Sequence, residues 1–238
     1  MNQAIRVSRL SLFSCLGIWI GISALLISPA TAQVNGSGAS PSNDFDTVLN
    51  LPGDQFSFEG DIGGVAGETT QINVLSSGRL ESPSANFGSE VNLNGGTIEA
   101  PFSAENGSEI NIIDGRLGFF SDGLFEIHTG SEVNIIGGEV SANVFALSGS
   151  SVNINGGELE GSFDAFFGSL INISGGSFGS TFGFDSRSFN AFAGSEVNIS
   201  GGNFDEGFDA NFGSLVDISG GNFAVSYTHL TLPTTPYV

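Results

Sequence analysis

The sequence predicts an all-β fold, a parallel β-helix (β-solenoid) of about eight coils of 19 residues. Three observations predict it: a motif that recurs at a fixed period, an apolar alternation around one central polar residue in each copy, and paired glycines just after it. A coil of this kind cannot bury its apolar face alone, but stacked coils build a continuous core.

Taken from the N-terminus, Arg6 and Arg9 precede an apolar run from Leu10 to Ile27, and Pro29-Ala30-Thr31-Ala32 supplies an A-x-A cleavage signature. Residues 1–32 are therefore expected to be a signal peptide that directs a secreted, extracellular or cell-surface protein. An uncleaved anchor is the alternative, since the run reaches the short end of a spanning helix. Cys15 lies inside the run rather than at its end, which argues against lipid modification.

Cleavage after Ala32 removes two positive charges and takes the formal charge from −20 to −22, leaving Arg79, Arg116 and Arg187 against 25 acids and no lysine. Such a surface repels nucleic acid and anionic membrane. It suits an extracellular protein without a membrane span in its mature chain, meeting divalent cations or neutral glycans. Disorder is excluded by 39% hydrophobic content and 22 phenylalanines, because a disordered chain lacks apolar mass to bury.

Residues 33–44 have the composition of a linker, and 45–68 alternate in polarity but fall off the period, as expected of an N-terminal cap. The repeats occupy 69–225. GSEVNLNGG at 88 returns as GSEINIIDG at 107, GSEVNIIGG at 130, GSSVNINGG at 149, GSLINISGG at 168, GSEVNISGG at 194 and GSLVDISGG at 213, after a degenerate TTQINVLSSG at 69. The central residues are Asn73, Asn92, Asn111, Asn134, Asn153, Asn172, Asn198 and Asp217, so coils one to eight step by 19 residues except for 23 in coil three and 26 in coil six.

β-Branched or aliphatic residues flank each Asn, which predicts a strand with one apolar and one Asn-bearing face. Gly-Gly predicts a turn. Apolar residues then follow six, ten and twelve positions after the Asn, as at Ile98, Phe102 and Ala104, and their even spacing predicts one shared strand. Stacking in register puts the Asn residues in a ladder and the phenylalanines in columns. A leucine-rich repeat is excluded by the missing L-x-x-L-x-L frame, and right-handed coiling is the expectation for parallel crossovers.

After Ala224 the composition changes abruptly. Both tyrosines lie in the last twelve residues, and VSYTHLTLPTT closely resembles the translated sequencing-adapter tail found on chains read from environmental assemblies. Residues 226–238 are expected to be non-native, with the native protein continuing past Val225; a genuine cap strand is the alternative.

Over residues 69–223 the GSEVNISGG-type copies resemble the secreted bacterial parallel β-helix proteins, which include pectate-lyase-like enzymes, autotransporter passengers and large surface repeat proteins. The resemblance implies the fold and, through the surface-repeat group, a structural or adhesive role. Lyases of this fold use a basic proton abstractor beside an acidic calcium cluster. Only Arg79, Arg116 and Arg187 can be set against that pattern.

The insertions are the stronger functional hint, because extra residues in a solenoid become loops on one face. Phe119, Phe120, Asp122 and His128 in coil three, with Phe184, Asp185 and Arg187 in coil six, are the candidate ligand-binding residues, suited to glycans or cell-surface components. Glu126, Phe182 and Phe189 accompany them. Three coils of about 4.8 Å separate the loops by roughly 14 Å, too far for one compact catalytic centre.

Glu90, Glu109 and Glu132 occupy one position on successive coils, where Ca²⁺ is the candidate bridging ion and three solvated side chains are the alternative. No other cofactor is expected. The calcium β-roll frame and an outward Thr row for ice binding are absent, and the N-x-S sequons are by-products of the repeat. Two functions follow: a structural or adhesive protein without catalysis, favoured by the near-uniform coils, or a carbohydrate-active enzyme using Asp164, Asp185, Asp205 and Asp209 as paired carboxylates.

Overall fold

The computed structural model describes residues 47–51, 57–62, 70–76, 78–118, 123–179, 188–205 and 207–224. The signal peptide, the linker and the C-terminal tail fall outside them. The chain is an all-β parallel β-solenoid of about seven turns of roughly 19 residues, and no helix occurs among the described residues. The register runs from Asn73 through Asn92, Asn111, Asn134, Asn153, Asn172 and Asn198 to Asp217, each opposite the next.

Each turn carries three short strand segments, so the expectation that positions six, ten and twelve share one strand is corrected. In coil four they are Glu132–Ile135, Glu139–Val140 and Asn143–Ala146; in coil five, Ser151–Ile154, Glu158–Leu159 and Phe163–Ala165. A corner at the eighth position separates the second segment from the third. Small residues allow it: Ala142 is fully buried, and a Cβ on Gly161 would stand 2.0 Å from the Ala142 carbonyl oxygen. Parity survives the corner, so Val140, Val144 and Ala146 all still point inward.

Inside, like residues stack on like. Phe102 lies on Phe125 with ring centroids 5.0 Å apart, Phe163 on Phe189 at 4.7 Å and Phe178 on Phe204 at 4.5 Å, all nearly parallel. Columns meet edge to face, as where Phe178 meets Phe189 at 5.8 Å and 77°.

The two glycines of each pair serve different needs, shown by coil six. Gly176 takes a φ of +92°, which L side chains rarely adopt. Gly175 is required by proximity, since its Cβ would lie 2.4 Å from the Asn155 carbonyl oxygen of the coil before. At the Gly-Ser turn the buried serine closes the coil: Ser169 Oγ donates to the Phe166 carbonyl at 2.7 Å, and Ser195 Oγ to that of Phe192 at 2.7 Å.

Within 45–68, expected as a cap, Thr47–Leu51 pairs in parallel with Thr70–Leu75, and Ser57–Ile62 with Arg79–Ala85. Asn50 stands opposite Asn73, a step of 23 residues, so the ladders run on into this segment. The longer step takes it off the 19-residue period.

Candidate functional site

Both insertions leave the solenoid at the same corner. In coil three the chain departs after Leu117 and Gly118 and returns at Gly123 before the strand Leu124–Ile127; in coil six it departs after Phe178 and Gly179 and returns at Ser188 before Phe189–Ala191. Each departure therefore lies between the second and third segments. Phe119, Phe120, Asp122, Phe184, Asp185 and Arg187 fall outside the described residues, while their attachment points share one edge three coils apart.

Coils four and five cross that edge without interruption and carry a polar network. The Arg116 guanidinium forms an ion pair with the Glu139 carboxylate, its Nε donating to Oε1 at 2.7 Å. Glu139 Oε1 accepts from Ser141 Oγ at 2.8 Å, and Ser141 Oγ lies 2.9 Å from Glu160 Oε2. Ser141 is 4% exposed and Glu160 6%. Burial opposes the charge of Glu139, but hydrogen bonds from Arg116 and Ser141, with the attraction of the guanidinium, hold its carboxyl below the usual range.

Sequence reasoning missed this network, though a signal existed. The 23-residue step of coil three places Arg116 directly opposite Glu139, and the next 19-residue step places Glu158 opposite Glu139.

The outer side of the third segment adjoins the same corner. His128 lies there, its Nε2 3.3 Å from Glu105 Oε1 of the coil before. Phe166 stacks on Phe192 at 5.1 Å and meets Phe145 edge to face at 5.7 Å, while Phe167 is 71% exposed. Asp164 stands among them and accepts from Asn190 Nδ2 at 2.7 Å. Burial raises its carboxyl above the ordinary aspartate range against the lowering effect of that hydrogen bond. Asp209 opposes Asn190 one coil further on, whereas Asp205 follows the second segment; Asp185 is outside the described residues.

Glu90, Glu109 and Glu132 lie on a different face, opposite one another in register. Their carboxylates are engaged by ladder amides: Glu90 Oε1 accepts from Asn92 Nδ2 at 2.7 Å, Glu109 Oε1 from Asn111 at 3.2 Å and Glu132 Oε1 from Asn153 at 3.2 Å. Among the described residues no group of three or more His, Cys, Asp or Glu is gathered to hold a metal ion.

The ladder itself is polar along the rod. Asn92 donates to Asn73 at 3.0 Å, Asn111 to Asn92 at 2.9 Å, and so on through Asn134, Asn153, Asn172 and Asn198, every amide pointing toward the N-terminal coil. Asp217, ending the series, brings no amide proton. A shallow depression of about 180 Å³ runs beside it, lined by Asn172, Asn198, Asp217, Ser174, Ser200 and Ser219.

Arg79 pairs with Glu99 at 2.5 Å and Glu81 at 3.4 Å. With Arg116 also paired, both described arginines are held by carboxylates. No helix among the described residues is long and apolar enough to cross a membrane. Comparison with family models, curated proteins and solved structures gave no match.

Proposed function

We propose that this chain is an extracellular or cell-surface structural and adhesive solenoid, and that it meets glycans or cell-surface components along one edge. The observation that carries this reading is the shared corner: in a rod of otherwise uniform coils, both departures from the period occur at the same edge. Beside that edge lie half-buried Phe145, Phe166 and Phe192 with Asp164 and Asn190, apolar surface next to polar groups of the kind that orients a sugar. The expected signal peptide and the resemblance of the copies to secreted surface repeats support the location.

The test replaces residues 119–122 and 180–187 with the short corner of coil four. The trimmed rod is expected to keep its β-sheet circular dichroism and lose binding to immobilised polysaccharides or cells. Undiminished binding by a folded double deletion overturns the reading.

A second reading, a carbohydrate-active enzyme, is favoured by one observation. Asp164 has the raised carboxyl wanted of a general acid, and Asp209 lies two coils away, about 9.6 Å by coil spacing, near the separation used by inverting hydrolases. Release of reducing ends from neutral or acidic polysaccharides, abolished by Asp209→Asn, is the outcome that would establish it.

A further inference from the structure

Ser141 touches two carboxyl groups with one hydroxyl. Its Oγ stands 2.8 Å from Glu139 Oε1 and 2.9 Å from Glu160 Oε2. A hydroxyl has one proton: it can donate to one carboxylate and must accept from the other group. Two ionised carboxylates would turn one of these short contacts into an approach of two acceptors. Glu139 and Glu160 are also within hydrogen-bond reach of each other, a distance at which two carboxyl groups do not both ionise.

The charges around the pair are few. Arg116 faces Glu139 from coil three, and Glu158 lies beside Glu160 on its own coil. Coil six presents Ser177 opposite Glu158 and Gly179 at the corner, neither charged, and Asn143 on the third segment bonds Ser162. Arg79, Glu81 and Glu99 pair among themselves further down the rod. Among the described residues one guanidinium is thus set against the Glu139–Glu160 pair.

We propose that the Glu139–Glu160 pair holds one proton in the folded chain, shared through Ser141, and that its release as pH rises loosens the corner from which both insertions spring. With the proton in place, one carboxyl donates to Ser141 Oγ, Ser141 donates to the other, and Arg116 balances the remaining negative charge. On release the proton passes to water and two negative charges face one guanidinium. The backbone offers little slack, because Gly161 is already tight against the Ala142 carbonyl. Relief comes as a carboxylate swings out and leaves Ser141.

The direction of the pH dependence follows from proton counts. In the unfolded chain both carboxyls ionise near about 4.3, so above that pH the folded chain binds more protons than the unfolded one. The stabilisation is complete below that value and is lost as pH rises through the folded pair's own release. This is independent of whether the edge binds anything.

The experiment uses the chain carrying Asp164→Asn, which removes the other raised carboxyl, with and without Glu160→Gln. Gln keeps a donor for Ser141 and cannot ionise. At neutral pH the infrared carbonyl band of a protonated carboxylic acid is expected in the parent and lost in Glu160→Gln.

Amide exchange at Ser141 and Glu160, corrected for intrinsic rates, is expected to quicken about tenfold per pH unit through the release in the parent and to stay flat in the variant. Identical pH profiles, or no band that the substitution removes, would overturn the proposal. Should Glu160→Gln fail to fold, Ser141→Ala serves: it removes the relay and is expected to move the release at least about one pH unit lower, and an unmoved release counts against the idea.

Discussion

At Asp164 a carboxylate is placed where its charge is disfavoured, and the sign of the consequence can be worked out. Burial raises its proton affinity above the unfolded value. The folded state is therefore favoured at low pH, and stability is lost as pH climbs from the unfolded value through the raised one. Asp164→Asn retains an acceptor for Asn190 and removes the titration. It is expected to raise the melting temperature at neutral pH and to flatten its dependence between about pH 4 and 6, measured by calorimetry.

Residues of one type also divide by cause. Gly175→Ala is expected to cost about 1–3 kcal/mol by collision with the Asn155 carbonyl, and Gly176→Ala about 1–2 kcal/mol by backbone strain alone. Urea denaturation of both variants, with Gly176→Asn recovering part of the second loss but Gly175→Asn none of the first, separates them. The sequence showed that both positions demand glycine; the neighbour that excludes a Cβ at Gly175 lies 20 residues earlier and comes into view only once coils are stacked.

Among elements, the ladder and the corner behave differently toward charge. Every ladder amide donates toward the N-terminal coil, so a carboxylate in the series opposes an acceptor on one side. Asn153→Ala removes two bonds and is expected to cost about 1–3 kcal/mol. Asn153→Asp should cost more, because it sets its oxygens against Asn134 Oδ1 and the nearby Glu132; equal losses in denaturant titration would refute that directionality.

At the corner, the depressed carboxyl of Glu139 contributes stability above its unfolded value that is lost as pH falls through the folded one. Arg116→Gln is expected to remove about 1 kcal/mol at neutral pH, small because the pair is partly exposed, and to weaken the acid-side transition. The ladder was legible residue by residue from the 19-residue spacing. The corner network was not, because its members are joined by one 23-residue step and by a bend that periodicity treats as continuous strand.

Over the whole molecule, a formal charge of −20 spread along stacked coils repels itself, and salt that screens it is expected to raise the melting temperature progressively up to about 0.5 M. Calcium at millimolar concentration should add nothing beyond its ionic strength, given that ladder amides already engage Glu90, Glu109 and Glu132; a calcium-specific rise would restore them as ligands.

The sequence by itself determined the solenoid, its register and the inward residues, because a period of identical neighbours is written directly in spacing and parity. Tertiary structure alone decided that each coil bends at its eighth position into three segments, that both insertions root on one edge, and that Ser141 joins Glu139 to Glu160. Those facts depend on close approach between residues of different coils, where a missing Cβ or a single shared proton, and not polarity along the chain, sets the outcome.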